Sequence, residues 1–127
     1  MWLVRCIISN EGEKERCRMF EGLWTVQFQG VQGGGGGVVV FTKGKVLGGD
    51  GGYTYVGEYE ENGNNVKARV TVSNFIPGVA NVMGRQGNFD LEFAGVGNGD
   101  TMNVTANLVG TPTQRLNARL TKKTSLP

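Results

Sequence analysis

The acidic side chains are the first candidates for chemistry in this sequence. Asp50, Asp90, Asp100 and Glu92 are the carboxylates that could pair for hydrolysis, as two acids at a glycosidic or ester bond do. Asp50 and Asp100 lie in glycine-rich turns, and Asp90 and Glu92 occupy the outward face of a predicted strand. The chain has no histidine, the usual proton carrier near neutral pH. We therefore predict no catalytic residue and a protein that is not an enzyme.

Two further patterns resemble known phosphate-binding or metal-binding motifs but lack the residue spacing that those motifs require. The run Gly33 to Gly37 suggests a phosphate-binding loop, but Gly44-Lys45 is followed by Val46 rather than a hydroxyl residue. This run is predicted to be a flexible hairpin or rim loop. The only cysteines, Cys6 and Cys17, have no partners at metal-ligand spacing. We predict no cofactor and no metal site.

The charge and hydropathy of the chain argue against contact with nucleic acid or with a membrane. The 127 residues carry a formal net charge of +2, and the basic residues are spread along the chain. A nucleic-acid interface needs a concentrated basic face, so no direct nucleic-acid contact is expected. The apolar run at residues 1–8 is too short to span a membrane and is followed by no small-residue cleavage site. These features predict a cytoplasmic protein that does not enter a membrane.

A second group of carboxylates lies near a predicted hairpin turn. Glu58 and Glu60 project from one strand face, and Asn62-Gly63 is a dipeptide favoured by two-residue type I′ turns. That turn places Glu58 opposite Lys67 and Tyr59 opposite Val66, whereas a turn one residue later would change the partners and keep the same faces. From the residues alone, a solvated hairpin is favoured over an acidic docking patch.

The elements that would position these residues are strands. From residue 22 onward, short β-rich segments with one apolar face alternate with turn residues, and helical periodicity is absent. We count seven to eight strands, the uncertain one near Val79 to Val82. Short connections favour an all-β, antiparallel, up-and-down barrel of eight strands over a sandwich. Its predicted interior lining is aromatic and aliphatic: Trp24, Val26, Phe28, Tyr53, Tyr55, Tyr59, Phe89, Leu91 and Phe93.

The first residues differ in composition from the rest. Residues 9–18 are almost wholly polar and charged, and Met19 opens a more regular pattern. We predict that residues 1–18 form a loosely ordered N-terminal extension or linker and that residues 19–127 form the barrel domain. The alternative is an extra strand or helix packed on the barrel.

Four short motifs within residues 19–122 resemble the GrlR-like family, named for a negative regulator of bacterial type III secretion. They are Gly22-Leu23-Trp24-Thr25-Val26, the segment from Gly44 to Gly48-Gly49-Asp50, Tyr55-Val56-Gly57, and Ile76-Pro77. The resemblance implies a lipocalin-like barrel with an apolar cavity, a homodimer, and an acidic four-residue motif that holds a transcriptional activator. That motif matches Glu60-Glu61-Asn62-Gly63, so two of its four carboxylates are present here.

Two binding hypotheses follow. The first is a regulatory protein that sequesters a protein partner, such as a transcriptional activator, through Glu58, Glu60, Glu61, Asn62 and Gly63. The second is a carrier or sensor of a small apolar ligand held in the barrel interior. The volume of that interior distinguishes them, because a filled barrel has no room for cargo.

Overall fold

The computed structural model describes residues 20–30, 33–79 and 88–126, and these form eight strands in one sheet. No helix occurs within those ranges. The predicted N-terminal extension up to residue 18 and the uncertain segment at residues 80–82 lie outside them, and Val79 itself belongs to no strand. In chain order the strands are β1 (Gly22–Gly30), β2 (Gly33–Thr42), β3 (Lys45–Gly49), β4 (Tyr53–Asn62), β5 (Asn65–Asn74), β6 (Phe89–Asn98), β7 (Thr101–Leu108) and β8 (Thr111–Thr124).

The sheet closes on itself, which confirms the predicted barrel. Each strand pairs antiparallel with the next, and β8 returns to pair with β1, with Val26 opposite Leu120. Closure satisfies the backbone groups that an open sheet would leave at its edges. Alternation then sends every second side chain inward, so that two clusters of buried apolar residues fill the centre, and partly buried aromatic and leucine side chains pack against both.

The glycine run corrects one prediction. Residues 33–37 are not a rim loop but the first half of β2, where Gly37 pairs with Val26 and Gly35 with Phe28. A side chain at Gly37 would stand 3.2 Å from the Tyr55 hydroxyl oxygen and 2.7 Å from the Gly49 carbonyl oxygen. The missing side chain therefore makes room for an aromatic residue from β4, two strands along the sheet, a packing role that local turn preference does not reveal.

The register of the β4–β5 hairpin also differs from the expected one. The turn residues are Gly63 and Asn64, so Tyr59 pairs with Ala68 rather than Val66. Gly63 has φ of 62°, whereas a type I′ turn at Asn62-Gly63 would also force an asparagine into positive φ. The later turn confines the unusual conformation to glycine. The same residues point inward in both registers, so the prediction of which β4 and β5 residues face the core is correct.

One end of the barrel is closed by aromatic packing. Phe20 precedes β1, is 1% exposed, and accepts a hydrogen bond at its carbonyl oxygen from Trp24 Nε1 at 2.9 Å. The rings of Trp24 and Phe41 meet edge to face, as do those of Phe41 and Tyr59. Gly97 lies under the Phe20 ring, where a side chain would collide with it. We call this the closed end.

Candidate functional site

The barrel interior is nearly filled by its own side chains. Between the closed end and the opposite end lies an apolar cavity of about 70 Å³. Sites for small molecules usually measure roughly 300–1,000 Å³. No polar side chain among the described residues is fully buried in the core. Shape and chemistry together therefore make the interior a packed core with a small void.

The predicted lining residues all face inward, but only some surround the cavity. Val26, Phe28, Tyr55, Leu91 and Phe93 line it. The other four predicted residues are not part of its lining, which corrects that assignment: Trp24, Tyr53, Tyr59 and Phe89. Trp24 and Tyr59 instead pack into the closed end with Phe41. Alternation identifies the face of a residue but not its height along the barrel, and height decides which residues meet the void.

Asp50 does more than the ordinary turn residue that we predicted. Its Oδ1 accepts hydrogen bonds from the backbone N–H groups of Gly52 and Tyr53, both at 2.9 Å, and its Oδ2 accepts one from the Tyr55 hydroxyl. Burial, followed by the hydrogen bond and charge of Asp50, raises the pKa of Tyr55 well above its usual range. This carboxylate therefore organises the β3–β4 turn.

The acidic residues of the β4–β5 hairpin lie in a mixed-charge surface. The observed register places Glu58 between Lys45 on β3 and Arg69 on β5, and it places Glu60 opposite Lys67. This corrects the predicted pairing of Glu58 with Lys67. Lys45 Nζ lies 2.8 Å from Glu58 Oε1. That hydrogen bond and the lysine charge lower the pKa of the exposed Glu58 carboxyl.

Glu61 differs from its neighbours because it is half-buried on the other side of the strand. Burial raises the pKa of Tyr59, and the charges of Glu61 and Glu21 raise it further. Tyr59 is therefore a neutral phenol at physiological pH. Asn62 and Gly63 are exposed at the hairpin tip, so the five predicted partner-binding residues are contiguous but do not form one uniform acidic patch.

A groove on the outer surface of β4 to β7 begins at this hairpin. Its volume is about 710 Å³, and its lining includes Glu58 and Glu60 together with Lys67, Arg69 and Glu92. Asn107 lies further along the groove, and its buried Oδ1 accepts no hydrogen bond from the described residues. A buried acceptor without a donor is destabilising, so this atom would gain from a donor brought by a partner. No local pattern in the sequence predicts the groove, because it arises from the pairing of four strands.

No protein-family model matches this chain, and no curated protein matches it. Across the described strands and turns, no three carboxylate, histidine or cysteine side chains come close enough together to hold a metal ion. None of the residues that the structure describes forms a helix with the length and apolarity needed to cross a bilayer.

Proposed function

We propose that this chain is a non-enzymatic binding protein of the cytoplasm that holds a protein partner on its outer surface. The contact would be the β4–β5 hairpin, through Glu58, Glu60, Glu61, Asn62 and Gly63, together with the groove beside it. The observation that carries the proposal is the contrast in volume between this groove and the interior, about 710 Å³ against about 70 Å³. A partner would find far more accessible space outside the barrel than within it.

The charges of the groove favour a partner segment that carries cations and hydrogen-bond donors. Glu58, Glu60 and Glu92 outnumber Lys67 and Arg69 along its lining. Interleaved charges of both signs discriminate between partners, because a wrong register brings like charges together. An arginine or asparagine side chain of the partner could also donate to the Asn107 oxygen.

The resemblance to the GrlR-like family supports a transcriptional activator as the partner and a homodimer as the assembly. Glu60 and Glu61 match the two retained carboxylates of that family's acidic motif. Pairing of two barrels stays a prediction, and sedimentation equilibrium at micromolar concentration would check it.

Charge reversal tests the hairpin. The double variant Glu60→Lys/Glu61→Lys should lose capture of the partner from a lysate of the source cells, since two attractive contacts become repulsive. The matched control is Asp100→Lys, which reverses an exposed acid in the neighbouring β6–β7 turn at the same end of the barrel. If the double variant still captures the partner, or if the control variant loses capture to the same extent, the hairpin is not the specific contact for the partner.

Carriage of a small apolar ligand is the second candidate. The cavity is lined by apolar residues, which suits such a ligand in polarity, but it would have to enlarge several-fold to accept one. Phe28, Leu91 and Phe93 are only partly buried, so movement of these side chains is the route by which the space could grow.

A further inference from the structure

The outer surface of the barrel carries an apolar row that the proposed function does not use. Leu23, Val40, Leu47 and Val56 lie directly opposite one another on β1 to β4 and point outward. Val56 is 55% exposed and Leu47 is 45% exposed. The solvent face of an antiparallel sheet is normally polar, so a contiguous apolar row indicates a surface that something covers.

The row is long and narrow. With about 4.8 Å between strands it extends about 14 Å. In the outward-facing row on one side of it, Val38 is apolar and 46% exposed, but its neighbours in that row are Thr25, Gly49 and Thr54. Thr42, Lys45 and Glu58 lie in the row on the other side. A stable contact between two proteins buries roughly 800 Å² on each partner, far more than these few apolar side chains provide. A single chain segment matches this shape better than the face of a second barrel does.

The same chain contains a suitable segment. Residues 1–8 read Met-Trp-Leu-Val-Arg-Cys-Ile-Ile, with seven apolar residues out of eight. The described residues begin at Phe20, only three residues before Leu23, at one end of the row. Residues 9–19 provide eleven residues of linker, which span up to about 36–40 Å when extended. The segment can therefore reach every position of the row.

We propose that residues 1–8 dock on this apolar row of their own barrel. Tethering favours this occupant, because a short linker holds the segment at an effective concentration of about a millimolar, well above that of a second copy in solution. Another exposed apolar group, Phe75, Ile76 and Val79, lies on the connection between β5 and β6, and Val96 and Val109 are exposed singly on other strands and turns. Docking would cover the row and fix the N-terminal residues to the sheet.

Cys6 lies within the segment and allows a direct test. In a Cys17→Ser background, Val56→Cys places a thiol on the row, and Thr105→Cys places one at an exposed outward position on β7 as the matched control. Mixed isotopically labelled and unlabelled chains are oxidised and analysed by mass spectrometry. We expect the disulfide from Cys6 to position 56 to form within one chain, at least tenfold faster than that to position 105. Equal rates overturn the proposal, and disulfides that join labelled to unlabelled chains assign the row to a second copy instead.

Limited trypsin digestion supplies a second measurement that needs no new thiol. The bond after Arg5 should be cleaved at least tenfold more slowly than the bonds after Lys14 and Arg16 in the linker. Leu47→Gln/Val56→Gln should abolish that protection, whereas Asn103→Gln/Thr105→Gln on the far side of the barrel should preserve it. Rapid cleavage after Arg5 in the unaltered chain would contradict docking. Neither measurement depends on the partner of the hairpin.

Discussion

Gly57 offers a sharp test of how the barrel closes. It faces inward on β4, between Val46 on β3 and Val70 on β5. A Cβ at this position would collide with the Arg69 carbonyl oxygen and stand 2.8 Å from Val70 Cα. The obstacles are backbone atoms, which cannot rotate away as a flexible side chain could. Gly57→Ala should therefore strain the β4–β5 ladder.

The expected size of the effect follows from overpacking. Forcing extra carbon into a packed region costs about 1–3 kcal/mol in the free energy of unfolding. At about 4 °C per kcal/mol for a domain of this length, the melting temperature should fall by about 4–12 °C. Gly51→Ala is the matched control, because its Cβ would meet nothing within 4 Å. It should leave stability unchanged or raise it by about 0.4–1 kcal/mol.

Differential scanning calorimetry of the two variants measures this difference directly. Equal melting temperatures for Gly57→Ala, Gly51→Ala and the unaltered chain would refute the reasoning. That result would mean that the strands do not approach as closely at Gly57 as a closed barrel of this curvature requires.

Three further perturbations test the packing. Asp50→Ala should lower the free energy of unfolding, measured by urea denaturation, by about 2–3 kcal/mol. Asp50→Asn should lower it by less, because the amide keeps one acceptor oxygen. Equal losses in the two variants would contradict a stabilising role for the hydrogen bonds of Asp50 in the turn. Because folding raises the pKa of Tyr55 and Tyr59, the free energy of unfolding should be unaffected by these phenols below pH about 10. Above that pH it should fall by at most about 1.4 kcal/mol per pH unit for each phenol. Tyr55→Phe/Tyr59→Phe should reduce this dependence on alkaline pH, and an unchanged dependence would show that these two phenols do not cause it. Phe20→Ala should cost about 3–5 kcal/mol, and a loss below about 1 kcal/mol would mean that this ring does not close the barrel.

The β4–β5 hairpin shows how far sequence patterns lead. Alternation of Tyr53, Tyr55 and Tyr59 with polar residues correctly predicts their inward direction, because a strand has only two faces. The pairing predicted for a turn at Asn62-Gly63 is wrong, and the alternative turn at Gly63-Asn64 gives the observed partners; both turns preserve the faces. The strand pairing of Asn62 with Asn65, and the fact that Asn62 does not have a positive φ, distinguish the two turns.

Local sequence patterns do not predict features that depend on contacts between residues far apart in the chain. The strand at Gly33 to Gly37 pairs with β1, and a side chain at Gly37 would crowd the Tyr55 hydroxyl, which lies far away in the sequence. The groove with Asn107 depends on the alignment of four strands, each with its own register. Hydrophobic alternation predicts an apolar interior equally well for a filled core and for a ligand cavity, so the volume could come only from the structure.

Native mass spectrometry of the purified full-length chain tests the central claim most directly, that the barrel interior is a packed core and that binding occurs outside it. The protein should be purified without organic extraction or apolar detergent. We expect the mass of the polypeptide alone, in monomer or dimer, because a cavity of about 70 Å³ retains no cargo of drug or lipid size. A stoichiometric adduct of several hundred daltons that is released on unfolding would contradict this account and favour carriage.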